Sequence, residues 1–214
     1  MLYIIGFLAQ ICFSSRLIFQ WIISEKEKRV VSPSIFWLLS LFGSYLLFFY
    51  GWLRNDFAII LGQLISYYIY IWNLDIKHSW EKIPRPIRYL LIATPVLAIG
   101  YMFTEARTFI AQFFNNADIP LGLLVWGSAG QVIFTLRFVY QWIYSRKRQE
   151  SILPMGFWLI SLTGSFIIVS YAIVRLDPVL VLGQSTGLLV YIRNIYIRNI
   201  YIMQKNKKSA QTKS

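Results

Sequence analysis

The chain has 214 residues, of which 57% are hydrophobic, 18% aromatic and only 14% charged. A mean hydropathy of +0.55 excludes an ordinary soluble domain and predicts an all-α integral membrane protein. The net charge of +12 is confined to short stretches, which leaves no soluble domain to carry a groove-sized patch for nucleic acid.

Seven apolar segments approach the about 20 residues that a helix needs to cross a bilayer. They run Leu2–Ser24, Pro33–Leu53, Asp56–Leu74, Ile87–Phe103, Pro120–Ser145, Pro154–Val174 and Asp177–Met203. The first lacks a basic n-region, is interrupted by Arg16 and is followed by no small-residue cleavage site, so it is expected to stay as a span. The single cysteine, Cys12, sits inside it, so no intrachain disulfide or cysteine metal site forms, and a packing role is expected.

Spans one to three return as spans five to seven. Gly6 to Leu74 aligns without a gap on Gly127 to Ile195, with about 26 identities in about 69 positions, which reads as an internal duplication. The chain therefore divides into a first three-helix repeat (1–74), a joining segment with the fourth span (75–118), a second three-helix repeat (119–203) and a basic tail (204–214) expected to be disordered. Lys26, Lys28 and Arg29, then Lys77, Lys82, Arg85 and Arg88, then Arg146, Lys147 and Arg148, with Lys205, Lys207, Lys208 and Lys213, fall on one side. Only Arg54, Arg107 and Arg175 fall on the other. The positive-inside rule makes the rich side cytoplasmic and sets the N-terminus outside. With one span between them, both copies enter the membrane in the same direction: a 3+1+3 arrangement of parallel repeats, the architecture of SWEET-type sugar transporters.

Arg16 and Arg137 lie about eight residues before the cytoplasmic ends of their helices, roughly 12 Å deep, where an unpaired guanidinium costs several kcal/mol. Brought together by the pseudo-two-fold, they would hold an anionic group such as a lipid phosphate. The alternatives are that they snorkel to the headgroups or bond backbone carbonyls as struts. Gln20 and Gln141 follow by one turn on the same faces, with Gln10 and Gln131 higher in the same helices. Gln63, Tyr70 and Asn73 on span three, and Gln184, Tyr191 and Asn194 on span seven, complete a repeated polar set expected to line a ligand cavity. For any single glutamine, an interhelical hydrogen bond that only holds the bundle is the competing role.

Other repeated residues read structurally. Ser40, Gly43 and Ser44, with Ser161, Gly164 and Ser165, suit close helix packing. Pro33 and Pro154 fall at first helical turns, and Asp56 and Asp177 at N-cap positions, within reach of Arg54 and Arg175. Trp21, Trp37, Trp142 and Trp158 suit an interfacial belt. His78 stands alone, so neither a metal site nor a general base follows. No Walker loop, GxGxxG or Gly-x-Ser-x-Gly occurs, and no catalytic residue, metal or cofactor is predicted.

The run GQVIFTLRFVYQWIYSRKRQESILPMGFWLISLTGSFIIVSYAIVRLDPVLVLGQSTGLLVYIRNIYI resembles the lipid A biosynthesis N-terminal domain, named for its occurrence beside lipid-A-disaccharide synthase. The first copy keeps the frame through Gln10, Arg16, Gln20, Trp21, Pro33, Phe36, Trp37, Ser40, Gly43, Asp56, Gly62 and Gln63, with Trp72 where the second copy has Arg193. That family is similar, distantly, to SWEET and PQ-loop transporters, although the Pro-Gln dipeptide is missing here. The resemblance implies a multi-pass protein of the bacterial inner membrane in lipid A or glycolipid synthesis, and the loop charges set its C-terminus on the cytoplasmic side. Three functions are compatible with it: a carrier or flippase for a lipid-linked sugar or lipid A precursor, a non-catalytic subunit presenting lipid to a glycosyltransferase, and a SWEET-like small-solute transporter. Expected partners are an anionic glycolipid or polyprenyl-phosphate sugar and a glycosyltransferase, with the chain a monomer or homodimer. Disaccharide synthase activity itself is not expected, since that reaction needs a soluble sugar-nucleotide-binding domain. No carboxylate falls in mid-membrane, so facilitated movement is expected rather than proton coupling.

Overall fold

Helices form along the apolar runs and stop where turn chemistry interrupts them. The computed structural model describes residues 2–53, 57–104, 120–176 and 178–211. Among these are seven helices: α1 (Leu2–Glu27), α2 (Ser34–Leu53), α3 (Phe57–Ile76), α4 (Arg85–Thr104), α5 (Leu121–Arg148), α6 (Met155–Val174) and α7 (Pro178–Gln211). The fold is all-helical, in the order expected. Ile4–Glu27 and Met155–Val174 are long and apolar enough to cross a membrane, and Ser34–Tyr50 is a shorter apolar helix.

The duplication extends to the turns. Lys28 and Gln149 leave α1 and α5 in the left-handed region, at φ 51° and 50°. The next amides, of Arg29 and Glu150, reach back to the carbonyls of Ser24 and Ser145, each at 3.2 Å, closing matched Schellman motifs. Neither residue is glycine, so each carries a side-chain penalty at its φ. Gln149→Gly and Lys28→Gly are each expected to stabilise the protein by about 1 kcal/mol, read as a higher thermal midpoint.

Three expectations are corrected. Pro154 caps α6 from an extended conformation, φ −72° and ψ 164°, instead of lying in its first turn, and its carbonyl accepts from Phe157 N at 3.0 Å. Pro33 likewise precedes α2, accepting from Phe36 N at 3.1 Å. The tail is helical as far as Gln211, because residues 204–211 contain no proline or glycine and are rich in good helix formers. Trp37 and Trp158 are fully buried and do not belong to an interfacial belt: each packs edge-on to the preceding phenylalanine, at 4.8 and 4.9 Å between ring centroids. The capping pairs expected at Arg54–Asp56 and at Asp177, like Arg107, lie outside the described residues.

Within each copy α1 packs on α2 and α2 on α3, as α5 packs on α6 and α6 on α7. The copies meet along two seams, α1 with α7 and α3 with α5. The end carrying Lys26, Arg85 and Arg146 to Arg148 is called the basic end below. Helix α4 belongs to neither copy. Pro95 inside it removes the amide that the Leu91 carbonyl would accept from, and the buried Tyr67 hydroxyl of α3 donates to that carbonyl at 2.9 Å. Tyr67→Phe is expected to strand that carbonyl and cost about 1–2 kcal/mol in thermal unfolding, with the helices otherwise retained.

Candidate functional site

One face of α1 and the matching face of α5 carry an arginine and, one turn later, a glutamine. Close approach of the second helix of each copy buries them. A Cβ on Gly164 would lie 2.8 Å from Phe134 N, against the backbone of α5, whereas one on Gly43 would meet the Cys12 side chain at 3.1 Å. Gly164→Ala is therefore expected to destabilise by about 2–3 kcal/mol and Gly43→Ala by less, compared as thermal midpoints.

The glutamines meet the asparagines of the opposite copy. Gln20 Nε2 donates to Asn194 Oδ1 at 2.8 Å and Asn194 Nδ2 donates back to Gln20 Oε1 at 3.0 Å. On the other seam Gln141 Nε2 donates to Asn73 Oδ1 at 2.9 Å and Asn73 Nδ2 to Gln141 Oε1 at 3.1 Å. All four side chains are fully buried. Remaining amide hydrogens go to Ser24 Oγ at 2.8 Å, Ser145 Oγ at 2.9 Å, and the Ile69 and Val190 carbonyls at 2.8 and 2.9 Å. Such saturated amide pairs are ties between the two copies rather than open ligand donors. Gln63 and Gln184 are ties within a copy, accepting from Ser44 at 3.0 Å and Ser165 at 2.8 Å.

The arginines are different. Arg16 is 5% exposed and Arg137 3%, so neither snorkels in this conformation. Arg16 Nη1 donates to Ser40 Oγ at 2.8 Å and Arg137 Nη1 to the Tyr191 hydroxyl at 3.1 Å. The Nε of each is buried without an acceptor. Both face the Phe138 ring, with Cζ 5.5 Å from its centroid for Arg16 and 4.6 Å for Arg137. Phe13, at 4.6 Å from Arg16, and Phe134, at 3.3 Å from Arg137, complete the aromatic walls. Cation–π contact offsets part of the desolvation cost, but no counter-charge is present among the described residues. Among the described residues the ion pairs are Arg29 with Glu27 and Arg193 with Glu25, so neither buried arginine meets a carboxylate.

Tyr70 and Tyr191 join this cluster, while Gln10 and Gln131 do not. Seven residues before the buried Leu17 and Phe138, and on the same helix faces, these two glutamines are exposed. The inter-repeat hydrogen bonds among the described residues thus gather in the half of the bundle nearer the basic end.

The two seams are not equivalent. On α1–α7, Arg193 forks onto Glu25, with Nη2 at 2.9 Å from Oε2 and Nε bonded to Oε1. At the matched positions of α3–α5, Trp72 meets Trp142 edge-on at 6.5 Å and Arg146 lies 5.2 Å from the Trp142 centroid. Ser32 accepts from Trp37 Nε1 at 2.8 Å. Leu153 replaces that serine in the second copy, and Trp158 Nε1 is left buried without an acceptor. Phe138, the Ser24 and Ser145 acceptors and the Glu25–Arg193 pair were not singled out from sequence. Only the two serines carried a usable signal, each one turn after its glutamine in both copies. A groove of about 590 Å³ lined by Lys82, Arg85 and Arg88 lies apart from the cluster, at the start of α4.

Comparison with known proteins gives the lineage. The chain is 31% identical to lipid-A-disaccharide synthase of Chlamydia pneumoniae over 204 residues, 91% of this chain and 33% of that protein. It is 32% identical to lipid-A-disaccharide synthase of Chlamydia trachomatis serovar D over 204 residues, with the same coverage. The chain thus spans about a third of the length of the curated relatives it matches. No solved structure matches it. The sequence profile of the Lipid A Biosynthesis N-terminal domain matches at residues 5–75 and again at 126–196, the two copies that the cross-paired amides join. The chain belongs to that family, as a tandem pair of its domain.

Proposed function

We propose that the chain is a seven-span inner-membrane carrier of lipid A or glycolipid synthesis, moving a lipid-linked sugar or lipid A precursor between leaflets. The observation that carries this reading is the meeting of two buried arginines, one from each copy, without a carboxylate among the described residues. A charge pair of one sign is retained at such a place when an anion completes it. The apolar surface supports the membrane setting: Leu97, Leu189, Phe166 and Val174 are each 66–73% exposed, a pattern suited to lipid rather than water. In this reading the basic end is cytoplasmic, the copies are parallel repeats of the SWEET kind, and the paired amides are the closed side of the pathway, about which the repeats rock. The chain binds and moves its lipid without itself catalysing sugar transfer.

The test is lipid movement in liposomes containing the purified chain, followed by quenching of a fluorescent phosphorylated glycolipid from outside. Wild type should speed equilibration between leaflets and Arg137→Ala should abolish the effect while still accumulating as folded protein. Equal rates with and without wild-type protein would end the carrier reading. A second reading, a subunit presenting lipid to a glycosyltransferase, is favoured by the relatives named lipid-A-disaccharide synthase, of which this chain matches only a third. It predicts lipid binding without movement. Small-solute transport has less support, because the amides expected to line a polar pathway bond one another.

A further inference from the structure

We infer that the group held between Arg16 and Arg137 is a dianionic phosphate, a lipid phosphomonoester or diphosphate and not a phosphodiester, with the Tyr70 hydroxyl as its third donor. The inference rests on the arginine pair being the carrier's ligand site, and narrows what that ligand is. Charge is the first argument. Both guanidinium carbons lie close to one ring, Phe138, at 5.5 and 4.6 Å from its centroid, so a group bound beside that ring meets two positive charges. A phosphodiester carries one negative charge and leaves one buried cation uncompensated. A monoester above its second pKa, or a diphosphate, carries about two and neutralises both.

Donor supply is the second. Each guanidinium presents five N–H donors, and one of each is used in the described hydrogen bonds, to Ser40 and to Tyr191. Each Nε is buried and unpartnered. A terminal phosphate offers three oxygens with room for several such bonds, whereas a diester offers two. The tyrosines supply the third argument, because they are not in equivalent states. Tyr191 accepts from Arg137, while the 2% exposed Tyr70 lies 6.0 Å by ring centroid from Arg16 and its hydroxyl makes no hydrogen bond among the described residues. That hydroxyl is a spare donor on a ring beside Arg16.

The test uses the full chain in mild detergent, with unfolding scans against two short-chain probes, dioctanoyl phosphatidic acid (a monoester) and dioctanoyl phosphatidylglycerol (a diester). At pH 8 phosphatidic acid is expected to bind at least tenfold tighter. At pH 5, where the monoester carries about one charge, that lead should disappear. The groups facing the site are Arg16 and Phe138 from α1 and α5, Ser40 and Phe157 from α2 and α6, and Tyr70 and Tyr191 from α3 and α7, with Arg137 opposite. Phosphatidylglycerol, whose charge is the same at both pH values, is the control for any effect of pH on the protein itself. Tyr70→Phe should weaken phosphatidic acid binding three- to tenfold, and Arg16→Gln should erase the preference between probes. Arg16→Lys, which keeps the charge but loses the planar fork, should keep the preference at lower affinity. The scans themselves report whether each variant folds. Equal binding of both probes at both pH values, lost in Arg16→Gln, would overturn the dianion and leave the carrier reading standing. Binding of neither probe, or binding that survives Arg16→Gln with Arg137→Gln, would overturn both.

Discussion

Replacing Arg16 and Arg137 together by methionine is expected to make the ligand-free protein more stable while abolishing lipid movement. Both side chains are almost wholly buried, neither meets a carboxylate among the described residues, and each leaves its Nε without an acceptor. Methionine is shorter than arginine but close to it in volume, keeps an apolar stem and removes the desolvated charge, and exchanges of buried ionic groups for apolar ones of like volume are often stabilising, by about 1–4 kcal/mol. The loss of bonds to Ser40 and Tyr191 works against this gain but leaves only hydroxyls behind, and Ser40 still donates to the Phe36 carbonyl at 2.6 Å. A higher midpoint in ligand-free unfolding with no lipid movement in liposomes would mark the pair as a functional site held at a cost to stability. A lower midpoint would mark the arginines as struts and remove the main support for the carrier.

The amide ties should behave in the opposite way. Gln20→Leu removes both bonds to Asn194 and those to Ser24 and Val31 in one step, and is expected to cost about 3 kcal/mol, because the asparagine keeps a buried carbonyl oxygen with no donor. Asn194→Leu should cost about as much. The double replacement should cost less than the two singles added, with a coupling of at least about 1 kcal/mol in a double-mutant cycle. Additive costs would mean that the pair does not join the copies. Gln10→Leu serves as the comparison: an exposed glutamine of the same helix, expected to change stability by less than about 0.5 kcal/mol. The two sets of variants separate what holds the repeats together from what they hold.

The chemistry of the site was readable one residue at a time. Arginine, glutamine, tyrosine and asparagine recur at fixed spacing in apolar helices, where each is costly unless used. That Arg16 and Gln20 share a buried face follows from their separation by one turn. The fate of Gln10 was not readable, since the same periodicity puts it on the face of the buried Leu17, yet the structure leaves it exposed. Nor was the burial of Trp37 and Trp158, which an aromatic near a helix end does not reveal.

From the sequence alone follow the duplication, the helix order, the family and the identity of the polar residues, because these depend on local spacing and composition. Only the tertiary structure decided that Gln20 takes Asn194 and Gln141 takes Asn73. Each glutamine has an equivalent asparagine in its own copy, and spacing along one helix says nothing about which neighbour packs beside it. The same holds for the arginines. A repeat shows that there are two, and only the packing of α1 and α5 brings both charges to the Phe138 ring.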